Sequence, residues 1–216
     1  MTKVMIKNYN NFKHQEQKFK KLVARFSKEK QEKLLFVYSF AKARHEGQIR
    51  HDGIRVTYII HPLRCALYLL EMLKIKDIEL IQSMLLHDVV EDTKTSLKEV
   101  ENIFGKRVAK LVDFLTRKRR KNESEESKRK AKIKHFLKFF GKGKEDQRLL
   151  KSVDVLDNLR SMEYILDQKI KDRKLKRWRN EVTQYGLKIA SLVDKRIVND
   201  LNEVLDRYTK IGLFDF

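Results

Sequence analysis

The run His87-Asp88-Val89-Val90-Glu91-Asp92 places one imidazole and three carboxylates directly after the apolar stretch Met84-Leu85-Leu86. On a helix, residues four apart share a face, so His87 stands with Glu91 and Asp88 with Asp92. Charge beside a core must be paired or must hold a metal ion. A neutral imidazole with carboxylates is a suitable ligand set for a divalent cation. Acidic groups at a helix C-terminus oppose the helix dipole, which favours a functional reason for Glu91 and Asp92. Two further residues complete a candidate site: His61, at the start of an earlier helix, and Asp154, beside Val153 and Leu156 on an apolar face. Two histidines and two carboxylates suit a six-coordinate ion of the Mn²⁺ type, or Zn²⁺ or Fe²⁺. Residue types alone do not choose among them. Singly, each residue has a plainer reading: a chance His-Asp dipeptide, a helix-start histidine, or Asp154 paired with Arg160. The joint pattern of His61, His87-Asp88, Glu91-Asp92 and Asp154-x-x-x-Asn158 does not. Of the other histidines, His14 and His135 read as solvent-facing or packing residues, and His45 as structural.

The elements that must carry these residues read as helices. Apolar positions recur at three- and four-residue spacing through Phe19, Leu22, Val23 and Phe26, then Leu34, Leu35, Tyr38 and Ala41. Residues 47–57 break that period and contain Gly53, so they form a loop. Pro62 suits a helix's first turn, where its missing N–H has no partner to lose; a helix therefore starts near His61. The next helix is expected from about Asp77 to Val90. Ser96 followed by Glu99 resembles a capping box opening a short helix that ends before Gly105. Val108, Leu111, Val112 and Leu115 mark another. Residues 117–130 read as an exposed charged connection, after which Ile133, Phe136, Leu137 and Phe140 resume helical spacing until Gly141 and Gly143. Leu149, Val153 and Leu156 begin the helix bearing Asp154 and Asn158, and one or two helices fill the last 40 residues. The expected fold class is all-α.

Length and composition agree. The 216 residues fit one domain with a real core, and seven Gly with one Pro are too few for a turn-rich β fold. Cys65, alone, forms no intramolecular disulfide and reads as a small core residue. No apolar run approaches the ~18 residues of a membrane span or resembles a signal peptide, so the expected setting is cytoplasmic. The formal net charge is +20, and residues 117–151 hold 15 Lys or Arg against 5 Asp or Glu, half of that total. Such charge implies a polyanionic substrate or partner, or simply a lysine-rich proteome, and by itself does not separate nucleotide, RNA and membrane readings.

In order and flanking residues, the chain resembles the HD-domain hydrolases of the RelA/SpoT group, including stand-alone small alarmone hydrolases. The resemblance rests on Ala43-Arg44-His45-Glu46-Gly47-Gln48-Ile49-Arg50 and Tyr58-Ile59-Ile60-His61-Pro62-Leu63. It continues through Leu85 to Thr93, Phe104-Gly105, Val112 to Thr116 and Asp154 to Met162. It covers roughly residues 35–195 and implies an HD-domain helical bundle, a single hydrolase domain over residues 1–216 with no synthetase following. It also implies Mn²⁺-dependent removal of pyrophosphate from the 3′ position of (p)ppGpp, an anionic nucleotide substrate, leaving GDP or GTP. Carried over by position, His61, His87, Asp88 and Asp154 hold the metal, and Glu91 and Asp92 activate and orient water. Arg50 lies against the base, with Tyr58, Asn158 and Ser161 near the nucleotide. Two segments differ from the family pattern. The loop from Gly53 to Tyr58 is two residues longer, and Asp154-Val155-Leu156-Asp157-Asn158 stands where the family has Asp-Arg-Leu-His-Asn.

Two competing readings follow. The same site could act on another nucleotide: an adenine alarmone, a nucleoside monophosphate or a cyclic dinucleotide. Alternatively, the basic 117–151 segment could bind RNA beside a vestigial site, a reading disfavoured because no metal-site residue is missing and the nearby aromatics follow a buried stripe.

Overall fold

Apolar side chains at helical spacing give the chain its helices, and the computed structural model describes residues 8–117, 123–210 and 212. Of the basic run from Arg117 to Lys121, only Arg117 falls among them. Among the described residues there is no strand, only an isolated bridge between Ile49 and Thr57 that closes the 47–57 loop. Helices α1 (Phe12–Val23), α2 (Lys28–Arg44), α3 (Ile60–Glu71), α4 (Ile78–Leu86) and α5 (Val89–Asp92) come first. They are followed by α6 (Leu97–Phe104), α7 (Lys106–Leu115), α8 (Glu125–Gly141) and α9 (Glu145–Ser161). A 3-10 turn, Met162–Tyr164, leads to α10 (Gln168–Glu181), which passes through a π turn (Val182–Gly186) into α11 (Leu187–Ser191) and then α12 (Lys195–Lys210).

Helices α3, α4 and α7 carry the centre of the fold. Each contributes buried side chains to two apolar clusters, one shared with α1, α2 and α6 and the other with α8 to α12. Every residue of α3 from Ile60 to Leu70 is buried, so this helix has no solvent face, and Cys65 is a core residue as expected. Burial of such a Leu or Ile side chain contributes roughly 1.5–3 kcal/mol. Arg64 lies in the middle of that helix and is itself buried, which obliges it to find partners.

The expected single helix from Asp77 to Val90 is instead two, interrupted at His87-Asp88. The cause is a side chain competing with the backbone ladder. His87 Nδ1 donates to the Met84 carbonyl at 2.8 Å, the acceptor a continuing helix would give to the Asp88 N–H. Ser96 caps α6 by accepting from the Glu99 N–H at 3.1 Å. Gly105, at φ +91°, ends that helix in backbone that L side chains rarely adopt.

The charged connection expected over 117–130 is shorter, because α8 already begins at Glu125, capped by Ser124. Its buried face is also rotated from expectation. His135, Phe136 and Phe139 are buried, while Leu137 is 51% exposed. Gly143 stops α8 for a steric reason: a Cβ there would lie 2.5 Å from the Phe139 carbonyl oxygen.

Burial, aided by the charges of Lys151 and Lys138, pushes the pKa of His135 down to about 2. An unfolded histidine takes a proton near pH 6.5, so below that pH the unfolded state binds more protons and the fold loses stability, by up to about 1.4 kcal/mol per pH unit. His135→Gln is therefore expected to flatten the fall of the thermal midpoint between pH 6.5 and 5 by several degrees. Parallel curves for variant and parent would place the acid sensitivity elsewhere.

Candidate active site

Three elements bring the ionisable groups together. His61 comes from the first turn of α3, His87 and Asp88 from the break between α4 and α5, and Asp154 from the middle of α9. His61 Nε2 lies 3.2 Å from His87 Nε2, 3.2 Å from Asp154 Oδ1 and 3.7 Å from Asp88 Oδ2. His87 Nε2 lies 3.3 Å from Asp88 Oδ2 and 3.7 Å from Asp154 Oδ1.

The outer nitrogens decide what the inner ones can do. His87 Nδ1 faces a carbonyl oxygen, which only accepts, so Nδ1 carries its proton and the neutral ring turns a lone pair inward. His61 Nδ1 faces Asp157 Oδ2 at 2.6 Å, with the same consequence. Two lone pairs and two carboxylates thus converge on one point, an arrangement that needs a cation between them. Without a metal, a proton serves. Burial opposes the His87 imidazolium, but Asp88 and Asp154 outweigh it and push its pKa up to about 9. Burial likewise opposes charge on Asp154, yet the neighbouring Lys151 and both imidazoles hold its carboxyl well below the usual range. The donor set, two imidazoles and two carboxylates, fits a divalent cation.

Glu91 and Asp92 lie one turn beyond Asp88 and line the same cleft. Glu91 Oε2 accepts from the Arg117 backbone N–H at 2.8 Å, which anchors its carboxylate above the ligand cluster. Asp92 Oδ2 and Asp88 Oδ2 share the Tyr58 hydroxyl at 2.7 and 2.8 Å. Burial and these two carboxylates raise the Tyr58 pKa, so the phenol stays protonated and ties the pair together. His45 is fully buried, stacked on the Tyr58 ring at 4.7 Å with Nδ1 2.8 Å from the Gln48 side-chain oxygen.

The four residues expected near a nucleotide do meet. Arg50 Nε donates to both oxygens of Asp52 at 3.1 Å, and its Nη2 reaches Asn158 Oδ1 at 3.3 Å and Ser161 Oγ at 3.5 Å. Its guanidinium also lies 5.6 Å from the Tyr58 ring centroid. Tyr58 and Asn158 line the cleft, while Ser161 is fully buried. Asn158 donates to Asp154 Oδ1 at 2.6 Å, so it positions a carboxylate. Arg160, the plain alternative partner for Asp154, pairs with Asp200 at 2.7 Å instead.

The cleft has a volume of about 720 Å³, within the usual range for small-molecule sites. Its floor is the histidine–carboxylate cluster. The same cleft is lined by Lys128, Arg129 and Lys132 of α8 and Arg177 of α10, together with Glu125 and Glu181. Lys132 lies over the Trp178 ring at 4.6 Å and pairs with Glu181 at 2.6 Å. The described part of the basic 117–151 segment therefore contributes Arg117, Lys128, Arg129, Lys132 and Lys151 to the cleft's lining. Sequence reasoning passes over Lys151, which donates to Asp154 Oδ2 at 2.8 Å. It also passes over Arg64 and Asp157, which back His61. Their signal is helical spacing: Arg64 follows His61 by three residues and Asp157 follows Asp154 by three, which places each pair on one face.

A family model described as the HD domain matches residues 38–184. An Aquifex aeolicus guanosine-3′,5′-bis(diphosphate) 3′-pyrophosphohydrolase is 37% identical over 159 residues, 72% of this chain and 21% of that protein. The human guanosine-3′,5′-bis(diphosphate) 3′-pyrophosphohydrolase MESH1 is 45% identical over 83 residues, 38% of this chain and 46% of that protein. The chain thus matches about a fifth of the first relative's length and under half of the second's. A solved structure described as a metazoan ortholog of SpoT that hydrolyzes ppGpp superposes with a TM-score of 0.68 at 26% identity, covering 84% of this chain and 97% of that one. No helix among the described residues is long and apolar enough to cross a membrane.

Proposed function

The chain belongs to the HD-domain family, and on that premise we propose that it is a metal-dependent phosphohydrolase releasing pyrophosphate from the 3′ position of a (p)ppGpp-like nucleotide. One observation carries this reading: two imidazoles and two carboxylates converge in a cleft that Lys128, Arg129, Lys132 and Arg177 also line. The cluster suits a divalent cation, the basic side chains suit phosphates, and the cleft is large enough for a nucleotide. The similarity to pyrophosphohydrolases supports the same reaction, and the matched HD-domain stretch, residues 38–184, includes all four cluster residues. Residues 1–216 act in this reading as one hydrolase domain, in a cytoplasmic setting.

His61, His87, Asp88 and Asp154 would hold the cation, with Mn²⁺ as the assignment. When bound, it supplies positive charge toward the phosphoryl oxygens and acidifies the attacking water. Glu91, anchored by the Arg117 N–H, is placed to accept the water's proton, and Asp92, tied to Tyr58, to orient the water. Lys151 and Asn158 keep the Asp154 carboxylate ionised and turned to the floor. Lys132 and Arg177 attract the polyphosphate.

Folded protein supplied with Mn²⁺ is expected to release pyrophosphate from ppGpp, and to stop when the metal is chelated. Intact ppGpp after incubation with Mn²⁺-loaded protein would sink the reading. Arg177→Ala is expected to raise KM roughly tenfold with little change in kcat, most clearly at low ionic strength. An unchanged KM there would remove Arg177 from substrate capture.

A second reading rests on Arg50. Its guanidinium is already engaged by Asp52, Asn158 and Ser161, and the longer Gly53–Tyr58 loop adjoins it. This favours a base preference other than guanine on an otherwise equivalent substrate. Competition between ppGpp and its adenine counterpart separates the two readings.

A further inference from the structure

We propose that Tyr9, Arg64 and Asp157 form a positioning chain that holds His61 by its outer nitrogen and orients its inner nitrogen toward the metal, so that the N-terminal arm is part of the metal site's support. The inference rests on the reading of His61 as a ligand. It goes further, assigning work to residues that touch neither metal nor substrate, two of them far apart in sequence.

The Asp157 carboxylate is saturated. Oδ1 accepts from the Tyr9 hydroxyl at 2.7 Å and from Arg64 Nε at 2.9 Å. Oδ2 accepts from Arg64 Nη2 at 2.9 Å and faces His61 Nδ1 at 2.6 Å. Each of the first three contacts is a donor, and the guanidinium cannot lose its proton. With three donors on its two oxygens, Asp157 acts as an acceptor. The His61 Nδ1 must supply the remaining hydrogen. In the neutral ring this makes Nε2, which faces Asp88 and Asp154, the nitrogen whose lone pair a cation can bind.

Arg64 is fixed in turn. Its Nη1 donates to Asn10 Oδ1 at 2.7 Å, its Nη2 to Asp52 Oδ2 at 3.2 Å, and its guanidinium lies 4.0 Å from the Tyr9 ring centroid. Tyr9 stacks on Tyr164 at 5.0 Å, and Asn10 donates to the Asp52 carbonyl. The arm thus reaches the back of His61 from outside residues 38–184, the stretch that the family model matches.

The test is Mn²⁺ affinity of the full chain by equilibrium dialysis, with folding checked by circular dichroism. Wild type is expected to bind and Asp88→Ala to fail, which establishes the metal site. Against that pair, Asp157→Asn is expected to bind 10–100-fold more weakly, the usual cost of losing a ligand's supporting partner. Tyr9→Phe, which keeps the ring and removes the hydroxyl, is expected to bind about threefold more weakly in the same sense. Leu201→Ala, a remote core truncation, controls for destabilisation and should leave affinity unchanged. If Asp157→Asn does not fold, Tyr9→Phe decides. Wild-type affinity in the folded Asp157 or Tyr9 variants, with Asp88→Ala impaired, overturns the positioning chain alone. Absence of binding by wild type, or full binding by Asp88→Ala, overturns the metal site and the chain with it.

Discussion

Asp88→Ala is expected to abolish Mn²⁺ uptake and to lower pyrophosphate release from ppGpp by a factor on the order of 10³ or more, ~4 kcal/mol of transition-state stabilisation. Asp88 Oδ2 faces both imidazole lone pairs and the Tyr58 hydroxyl, and its side chain is 18% exposed, toward the cleft. Without it the cluster keeps a single ligand carboxylate, Asp154, already engaged by Lys151 and Asn158. Stability should respond differently from activity. In metal-free protein burial and Asp154 oppose charge on Asp88, while His87 and His61 hold it ionised. Removing it therefore relieves the burial cost and the repulsion but loses the imidazole contacts and a Tyr58 partner. A thermal midpoint within a few degrees of the parent, with no metal uptake, is the expected pair of results. Retained Mn²⁺ affinity would remove Asp88 from the ligand set.

Glu91→Gln is expected to leave Mn²⁺ affinity and KM near parental values while kcat falls about 10²- to 10⁴-fold, the usual contribution of a positioned general base. The amide keeps the side chain's shape and can still accept from the Arg117 N–H, so position is preserved. Only the capacity to take a proton is lost. A fall in kcat of less than tenfold would pass the base role to Asp92, whose carboxylate shares the Tyr58 hydroxyl with Asp88. Metal affinity falling together with kcat would instead make Glu91 a ligand.

The helices are readable because their apolar positions repeat at a local period. Chain order alone places α6 between Ser96 and Gly105, and α9 around Asp154. The period is less informative in α8, where Ile133, Phe136, Leu137 and Phe140 fit a helical face as well as His135, Phe136 and Phe139 do. Packing against the neighbouring helices chooses the second. The break at His87-Asp88 is hidden for a related reason. Both residues keep helical backbone angles, and the interruption depends on where the imidazole finds its acceptor.

For the candidate site, residue type and spacing suffice to group His61, His87, Asp88 and Asp154, since ionisable residues within apolar helical stretches demand partners. Arg64 sends the same signal from the middle of α3, but sequence does not say with whom it pairs. Its partners Tyr9, Asp52 and Asp157 lie 55, 12 and 93 positions away. Likewise the excess of positive charge over 117–151 is plain in the sequence, and its direction is not.

By itself, then, the sequence located most of the helices and the members of the histidine–carboxylate cluster, because each follows from local spacing and the cost of burying charge. Only the tertiary structure decided that α8 lines the same cleft as the cluster, that Tyr58 joins Asp88 to Asp92, and that an N-terminal tyrosine stands behind His61. Those are relations between segments far apart in the chain, and they are set by packing and by the hydrogen-bond demands of buried polar groups.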